Sequence, residues 1–254
     1  MVTQPRVALV TGGARRIGAA IVSDLASAGF AVAIHCNEST AEAEALSKEV
    51  RAGGGTAIVV QADLTSPDER AAMMRSGAAQ LGPLGLLVNS ASIFENDTPE
   101  DFDWPLWDRH FDVHLKAPVD LTRRFAQALP DGAEGCVVNI IDQRVLKPDP
   151  RFFSYSLSKA ALWNATVRMA QGLAPRVRVN AIGPGPALPN IRQSQEDFGK
   201  QVAAVPLRRG PDLSEFGRTV RYLFDARSVT GQMIAIDGGQ HLAWQTPDVT
   251  GSAE

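Results

Sequence analysis

The sequence predicts an α/β fold: one domain built on a doubly wound, parallel, seven-stranded sheet with helices on both faces. Three observations lead there. Seven short apolar runs alternate with longer amphipathic stretches. The runs are rich in β-branched residues and have helical patterns between them, as expected of parallel strands buried on both faces. No Pro/Gly/Ser-rich linker, charge block or internal repeat divides the 254 residues. A single domain over 1–245 with a flexible tail over 246–254 is therefore expected.

In chain order, Val7–Val10 is the first strand and Ile17–Ala28 the helix that follows it. Ala31–Ile34 leads to helix Ala41–Ala52, and Ala57–Val60 to helix Pro67–Leu81. Leu86–Val88 precedes one long helix over Trp107–Leu129, and Cys136–Ile141 precedes helix Tyr155–Leu173. Val177–Ala181, helix Leu213–Phe224 and strand Met233–Ile236 complete the series. Right-handed crossovers wind these units into one sheet. Ligands of such sheets bind beyond the carboxyl ends of the strands, so the residues after each run are the candidates for function.

Composition narrows the class. A formal net charge of −3 gives no reason to expect nucleic acid or an anionic membrane as partner. No apolar run approaches the roughly 20 residues that span a bilayer, and the short N-terminal lead into the first strand does not resemble a secretion signal. Cys36 and Cys136 stand alone in apolar stretches, which suits reduced core thiols in a cytoplasmic protein and offers no metal site.

The first strand ends in Thr11-Gly12-Gly13-Ala14-Arg15-Arg16-Ile17-Gly18. Glycines let the backbone turn tightly and let a pyrophosphate reach the helix N-terminus, where free N–H groups and the dipole favour anions. This is the Rossmann-type arrangement of strand, glycine turn and helix. After the second strand come His35-Cys36-Asn37-Glu38-Ser39. An NAD site places a carboxylate at that strand end, and its charge repels a 2′-phosphate. Here the strand end has no acid, and Arg16, Asn37 and Ser39 can donate to phosphate, so NADPH/NADP+ is favoured despite Glu38. Asp63, beside Leu64, stands where it can cap the helix beginning at Pro67.

Tyr155 and Lys159 lie four residues apart at the head of a helix, on one face. A free phenol exchanges protons poorly at neutral pH, and a neighbouring ammonium favours the phenolate. Asp142 lies thirteen residues before Tyr155, at the preceding strand end. A carboxylate there opposes a second negative charge and holds the tyrosine protonated, which suits an acid that delivers a proton. Pro118, which has no N–H, deprives the His114 carbonyl of its helical partner and predicts a kink in the long middle helix.

These motifs resemble the short-chain dehydrogenase/reductase family over about residues 5–244, from the Thr-Gly turn through Tyr-x-x-x-Lys to Asp237-Gly238-Gly239. Four positions are similar to its pteridine reductase and dihydromonapterin reductase branch. Arg16 replaces the middle glycine of the turn, Asp142 replaces the family's serine, His114 replaces its asparagine, and Phe94 stands where that branch places an aromatic against the pterin. The resemblance implies cofactor contacts from Gly12, Arg15, Arg16, Ile17, Gly18, His35, Asn37, Ser39, Asp63, Leu64, Asn89, Ser90, Ala91, Tyr155, Lys159, Pro184 and Gly185. It implies substrate contacts from Arg16, Ser92, Phe94, Asp142, Tyr155 and Leu188, under a mobile loop and helix over 189–206. Asp142, Tyr155, Lys159 and His114 form the implied catalytic group, although His114 reads equally as a core histidine. A homotetramer paired through the long middle helix and the Tyr155 helix is also implied.

The expected function is NADPH-dependent reduction of a pterin. The alternative is an NADPH carbonyl reductase for a ketone or 3-oxoacyl group, which ordinarily relies on the missing serine. A non-catalytic NADP(H) sensor fits less well, because drift would have no reason to spare both Tyr155 and Lys159.

Overall fold

The computed structural model describes residues 4–190, 192–246 and 250. The tail expected over 246–254 lies outside them, apart from Thr246 and Thr250. Its strands are β1 (Val7–Thr11), β2 (Ala31–Cys36), β3 (Thr56–Gln61), β4 (Leu86–Asn89), β5 (Gly135–Ile140), β6 (Val177–Pro184) and β7 (Met233–Ile236). They form one parallel sheet in the order β3-β2-β1-β4-β5-β6-β7. The helices are α1 (Arg16–Ser27), α2 (Thr40–Ala52), α3 (Pro67–Leu81), α4 (Trp104–Phe111), α5 (Ala117–Ala128), α6 (Phe153–Leu173), α7 (Gln195–Ala203) and α8 (Leu213–Asp225).

The strand sequences explain why both faces are covered. Val10, Val88 and Val138 pack into the core under α1 and α8, while their neighbours Leu9, Leu87 and Val137 pack into the one under α3 and α5. Successive side chains of a strand point to opposite faces, so an unbroken apolar run requires two cores. The winding reverses between β1 and β4, where Thr11 pairs with Asn89. A crevice opens at such a switch point. No helix among the described residues is long and apolar enough to cross a membrane.

Most boundaries differ from the sequence reading by a residue or two, and three differences bear on the site. β2 runs on through His35 and Cys36, paired to Val60 and Gln61, so the loop after it starts at Asn37. β6 runs on to Pro184 because Gly183 and Pro184 pair with Ala235 and Ile236 of β7. The long middle helix begins at Trp104, where the Asp103 side chain accepts from the Leu106 N–H at 2.8 Å, and it is not continuous. Residues Asp112–Lys116 form a π-helical turn between α4 and α5, with the Ala117 N–H reaching the Asp112 carbonyl. The kink expected from Pro118 takes this form. A proline cannot close the normal helical bond, and the widened turn takes up the break.

Candidate active site

A cleft of about 1250 Å³ lies at the carboxyl ends of the strands, over the switch point. Its first wall is the turn between β1 and α1. A Cβ on Gly12 would lie 2.8 Å from the Ala91 Cα, and one on Gly18 would lie 2.1 Å from the Gly12 carbonyl oxygen. Only glycine fits either place, so the loops after β1 and β4 close to backbone contact. The Thr11 hydroxyl fastens them by accepting the N–H groups of Ser90 and Ala91 at 2.9 and 3.1 Å. No side chain caps the start of α1, and its first turn holds no acid. Its N–H groups and dipole remain for an anion, which a pyrophosphate fits.

His35 braces this turn from below. The Gly12 N–H donates to its Nδ1 at 3.0 Å, so the proton resides on Nε2, which donates to the Ala62 carbonyl at 3.0 Å. Burial lowers the pKa of the ring and keeps it neutral. Arg16 adopts φ +57, the left-handed conformation for which the wider family uses glycine. Its guanidinium donates to the carbonyls of Pro189 and Leu188 at 3.0 and 3.4 Å. The left-handed backbone costs about 1 kcal/mol, and the two exposed bonds offset part of it. The sequence reading gave this fork to the cofactor phosphate and to the substrate, and the structure bonds it to the loop after β6.

Asn37, Ser39, Asp63 and Leu64 line the far end of the cleft with Arg15. Arg15 lies 3.5 Å from Glu42 in an exposed pair. Of the two readings of Asp63, the capping one belongs to a neighbour: the Ser66 hydroxyl accepts the Glu69 N–H at 3.3 Å. Asp63 instead accepts the Thr65 N–H at 2.8 Å. On the opposite lip, Gly185 lies so close to the last strand that a Cβ would sit 2.5 Å from the Asp237 Cα.

The centre of the cleft joins β5 to α6. The Tyr155 hydroxyl donates to Asp142 Oδ2 at 2.9 Å, and Asp142 Oδ1 accepts the Arg144 N–H at 2.9 Å. Burial first and the Asp142 carboxylate second raise the Tyr155 pKa well above the ordinary tyrosine value, so the phenol holds its proton. The Lys159 ammonium donates to the Ile140 carbonyl at 2.9 Å and stands 5.7 Å from the Tyr155 ring centroid. Its burial pushes its pKa down to about 8.

Two residues expected at the site lie behind it. Asn89 does not line the cleft; its Nδ2 donates to Asn139 Oδ1 at 2.8 Å, and Asn139 donates to the Thr166 hydroxyl. It joins β4 to β5 and α6. His114, on the π-helical turn, is fully buried and does not line the cleft either. The Ile93 N–H donates to its Nε2 at 3.1 Å, so Nδ1 carries the proton and faces the Ser158 hydroxyl at 2.8 Å. Burial, then the Lys159 charge, lowers its pKa well below the usual histidine value. A neutral ring occupied on both nitrogens positions the loop after β4 against α6, and the Ser92 hydroxyl, which lines the cleft, lies 3.1 Å from its Nε2.

Phe94 stacks on Phe152, with centroids 4.1 Å apart, and meets the Tyr155 ring edge-on at 4.7 Å. Sequence reasoning missed Phe152, which has φ +55 at the N-cap of α6. It also missed Arg144, whose guanidinium lies 5.0 Å from the Phe152 centroid and 5.4 Å from that of Phe94. Asp97 was missed as well. Its buried carboxylate accepts the Ser154 N–H and hydroxyl, capping α6 just before Tyr155. Ser92 and Leu188 line the same end of the cleft.

The family model described as short chain dehydrogenase matches residues 6–199. The structure of FolM alternative dihydrofolate reductase 1 from Brucella suis in complex with NADP is 60% identical, with a TM-score of 0.94, over 98% of this chain and 100% of that one. Its counterpart from Brucella canis, complexed with NADP, is 59% identical with the same TM-score, over 98% and 99% of the two chains. Among curated relatives, the 3-oxoacyl-(acyl-carrier-protein) reductase FabG of Staphylococcus aureus is 30% identical over 240 residues, covering 92% of this chain and 98% of its own.

Proposed function

The chain belongs to the short-chain dehydrogenase/reductase family, and from that membership we propose that it reduces a pterin with NADPH, taking a dihydromonapterin, dihydrobiopterin or dihydrofolate-like ring to the tetrahydro form. The observation that carries this reading is the 2.9 Å bond from the Tyr155 hydroxyl to Asp142. It holds the phenol as an acid, the form a reductase needs. The Brucella proteins described as alternative dihydrofolate reductases, so similar along their length, support the same substrate class.

The cofactor, when bound, supplies the hydride. The glycine turn and the free N–H groups of α1, with Arg15, Arg16 and Ile17 beside them, fit its pyrophosphate. Asn37 and Ser39 fit a 2′-phosphate, and Asp63 and Leu64 fit the adenine. Ser90, Ala91, Tyr155, Lys159, Pro184 and Gly185 surround the place for the nicotinamide and its ribose. Phe94 offers a flat ring to the pterin, worth about 1 kcal/mol beyond area burial. Tyr155 then passes its proton to the ring nitrogen that gains charge, while Lys159 holds positive charge beside the phenol. Reduction should therefore be flat below pH 8 and fall as pH rises through about 8, where Lys159 loses its ammonium. A profile of kcat against pH checks this, and a rate that climbs through that range would remove Lys159 from the role.

The carbonyl reductase reading draws on the Staphylococcus relative, which is named for a 3-oxoacyl substrate. NADPH oxidation followed over a panel of dihydropterins, ketones and 3-oxoacyl thioesters separates the two. Turnover of dihydropterins supports the proposal, and turnover of carbonyl compounds alone rejects it. Cofactor binding without turnover would favour the sensor. The reading includes a homotetramer paired through α5 and α6, whose apolar Val119 and Leu157 are exposed, and light scattering measures it. It also includes a cytoplasmic location, which the free, buried Cys36 and Cys136 suit.

A further inference from the structure

We propose that Arg144 is the positioning residue of proton delivery, the counter-charge that lets Tyr155 release its proton beside Asp142. The inference rests on the reading of Tyr155 as the acid, and it holds for a pterin or a carbonyl substrate alike.

The need for such a group follows from charge. In the resting site the Tyr155 hydroxyl is neutral and donates to Asp142 Oδ2. As hydride adds to a substrate carbon, the adjoining nitrogen or oxygen gains an electron pair. The Tyr155 O–H bond breaks, its proton goes to that atom, and the bonding pair stays on the phenolate. The cleft then holds a phenolate and a carboxylate at hydrogen-bond distance, inside a largely buried site. Two such anions repel strongly unless cations stand beside them. Lys159 is one cation, but its ammonium is committed to the Ile140 carbonyl and lies on the ring side of Tyr155.

Arg144 is the other. Its Nη1 lies 3.5 Å from Asp142 Oδ2, the oxygen that receives the phenol, while its backbone N–H holds Oδ1 at 2.9 Å. Both side chains of the pair are mostly buried, at 17% and 15% exposure, so solvent screens the interaction little. The electrostatic balance at Tyr155 points the same way: burial and Asp142 oppose the phenolate, and Arg144 favours it. The guanidinium also lies against the Phe94 and Phe152 rings. The contact with two aromatic faces fixes the fork where a flexible ammonium would wander. Arg144 thus couples the aromatic platform for substrate to the carboxylate that controls the acid.

The test compares Arg144→Gln and Arg144→Lys with the wild type, on whichever substrate of the panel the wild type turns over. For Gln we expect kcat to fall about tenfold or more, as when one charged stabiliser is removed. NADPH binding should be unchanged, and the solvent deuterium isotope effect on kcat should rise as proton transfer becomes limiting. Lys keeps the charge but not the planar fork; it should restore most of kcat and the wild-type isotope effect, with KM raised by the lost contact with the aromatic faces. A Gln variant with wild-type kcat and isotope effect overturns the proposal. So does a loss that Lys leaves unrepaired, or one confined to KM, either of which would make Arg144 a part of the platform only. A wild-type chain that reduces only carbonyl compounds would reject the pterin reading, and Arg144 would still be judged on those compounds.

Discussion

Replacing Tyr155 with phenylalanine is expected to remove reduction of every substrate, with kcat lower by about 10²–10⁴-fold, the usual worth of a positioned acid. The hydroxyl and the ring of Tyr155 make separate contacts. The hydroxyl donates to Asp142 at the cleft, and the proposed mechanism takes its proton from there. The ring meets Phe94 edge-on at 4.7 Å and His114 at 5.3 Å, contacts that phenylalanine keeps. Asp142 loses one donor but retains the Arg144 N–H and guanidinium, so the carboxylate is not left bare. The variant should therefore fold, melt near the wild-type temperature and bind NADPH, as followed by its fluorescence, while turnover falls by that factor. A Tyr155→Phe protein within tenfold of wild type would mean that the proton comes from elsewhere, and the acid role of Tyr155 would fall.

Much of this site was legible in the sequence because its geometry is local. Tyr155 and Lys159 share a helix face by spacing alone, and the glycine turn follows directly from strand and helix. The seven apolar runs became the seven strands because they are short, β-branched and separated by helical patterns. What could not be read depends on distant partners. Asp97 caps α6 across 57 residues of chain, and nothing near it in sequence marks it as a cap. Phe152 and Arg144 gain meaning only where the loop carrying Phe94 folds over them. Pro118 signalled a break, but whether a helix kinks or widens into a π turn is decided by what packs on it. Here the π turn carries His114, which bonds both Ile93 and Ser158. The same dependence explains Asn89 and His114. Their types suited the cleft, but their bonds run to β5, α6 and the back of the loop, which makes them supports of the site.

Asp142→Ser restores the residue usual in the family, and for that reason it discriminates between the two readings of the enzyme. Serine keeps a hydroxyl near Tyr155 but removes the negative charge, one of the two main causes that raise the tyrosine's pKa. Burial remains, and Arg144 and Lys159 now face a site with no carboxylate between them. The phenol becomes easier to ionise, so the sign of the change is fixed. Tyr155 should act as a base at lower pH than in the wild type. Pterin reduction should fall as pH rises through the lowered Tyr155 pKa, because the carboxylate that kept the phenol protonated there has gone. Oxidation of a simple alcohol with NADP+ should rise, and its increase with pH should begin at lower pH. The measurement is the pair of rates across a pH series, reduction of a dihydropterin against oxidation of an alcohol, for wild type and variant. Pterin turnover equal to wild type would show that the carboxylate takes no part in proton handling. Loss in both directions without any shift along the pH axis would reduce Asp142 to a structural partner of Tyr155. A fall in one direction with a gain in the other is the result that only a charge-based role for Asp142 produces.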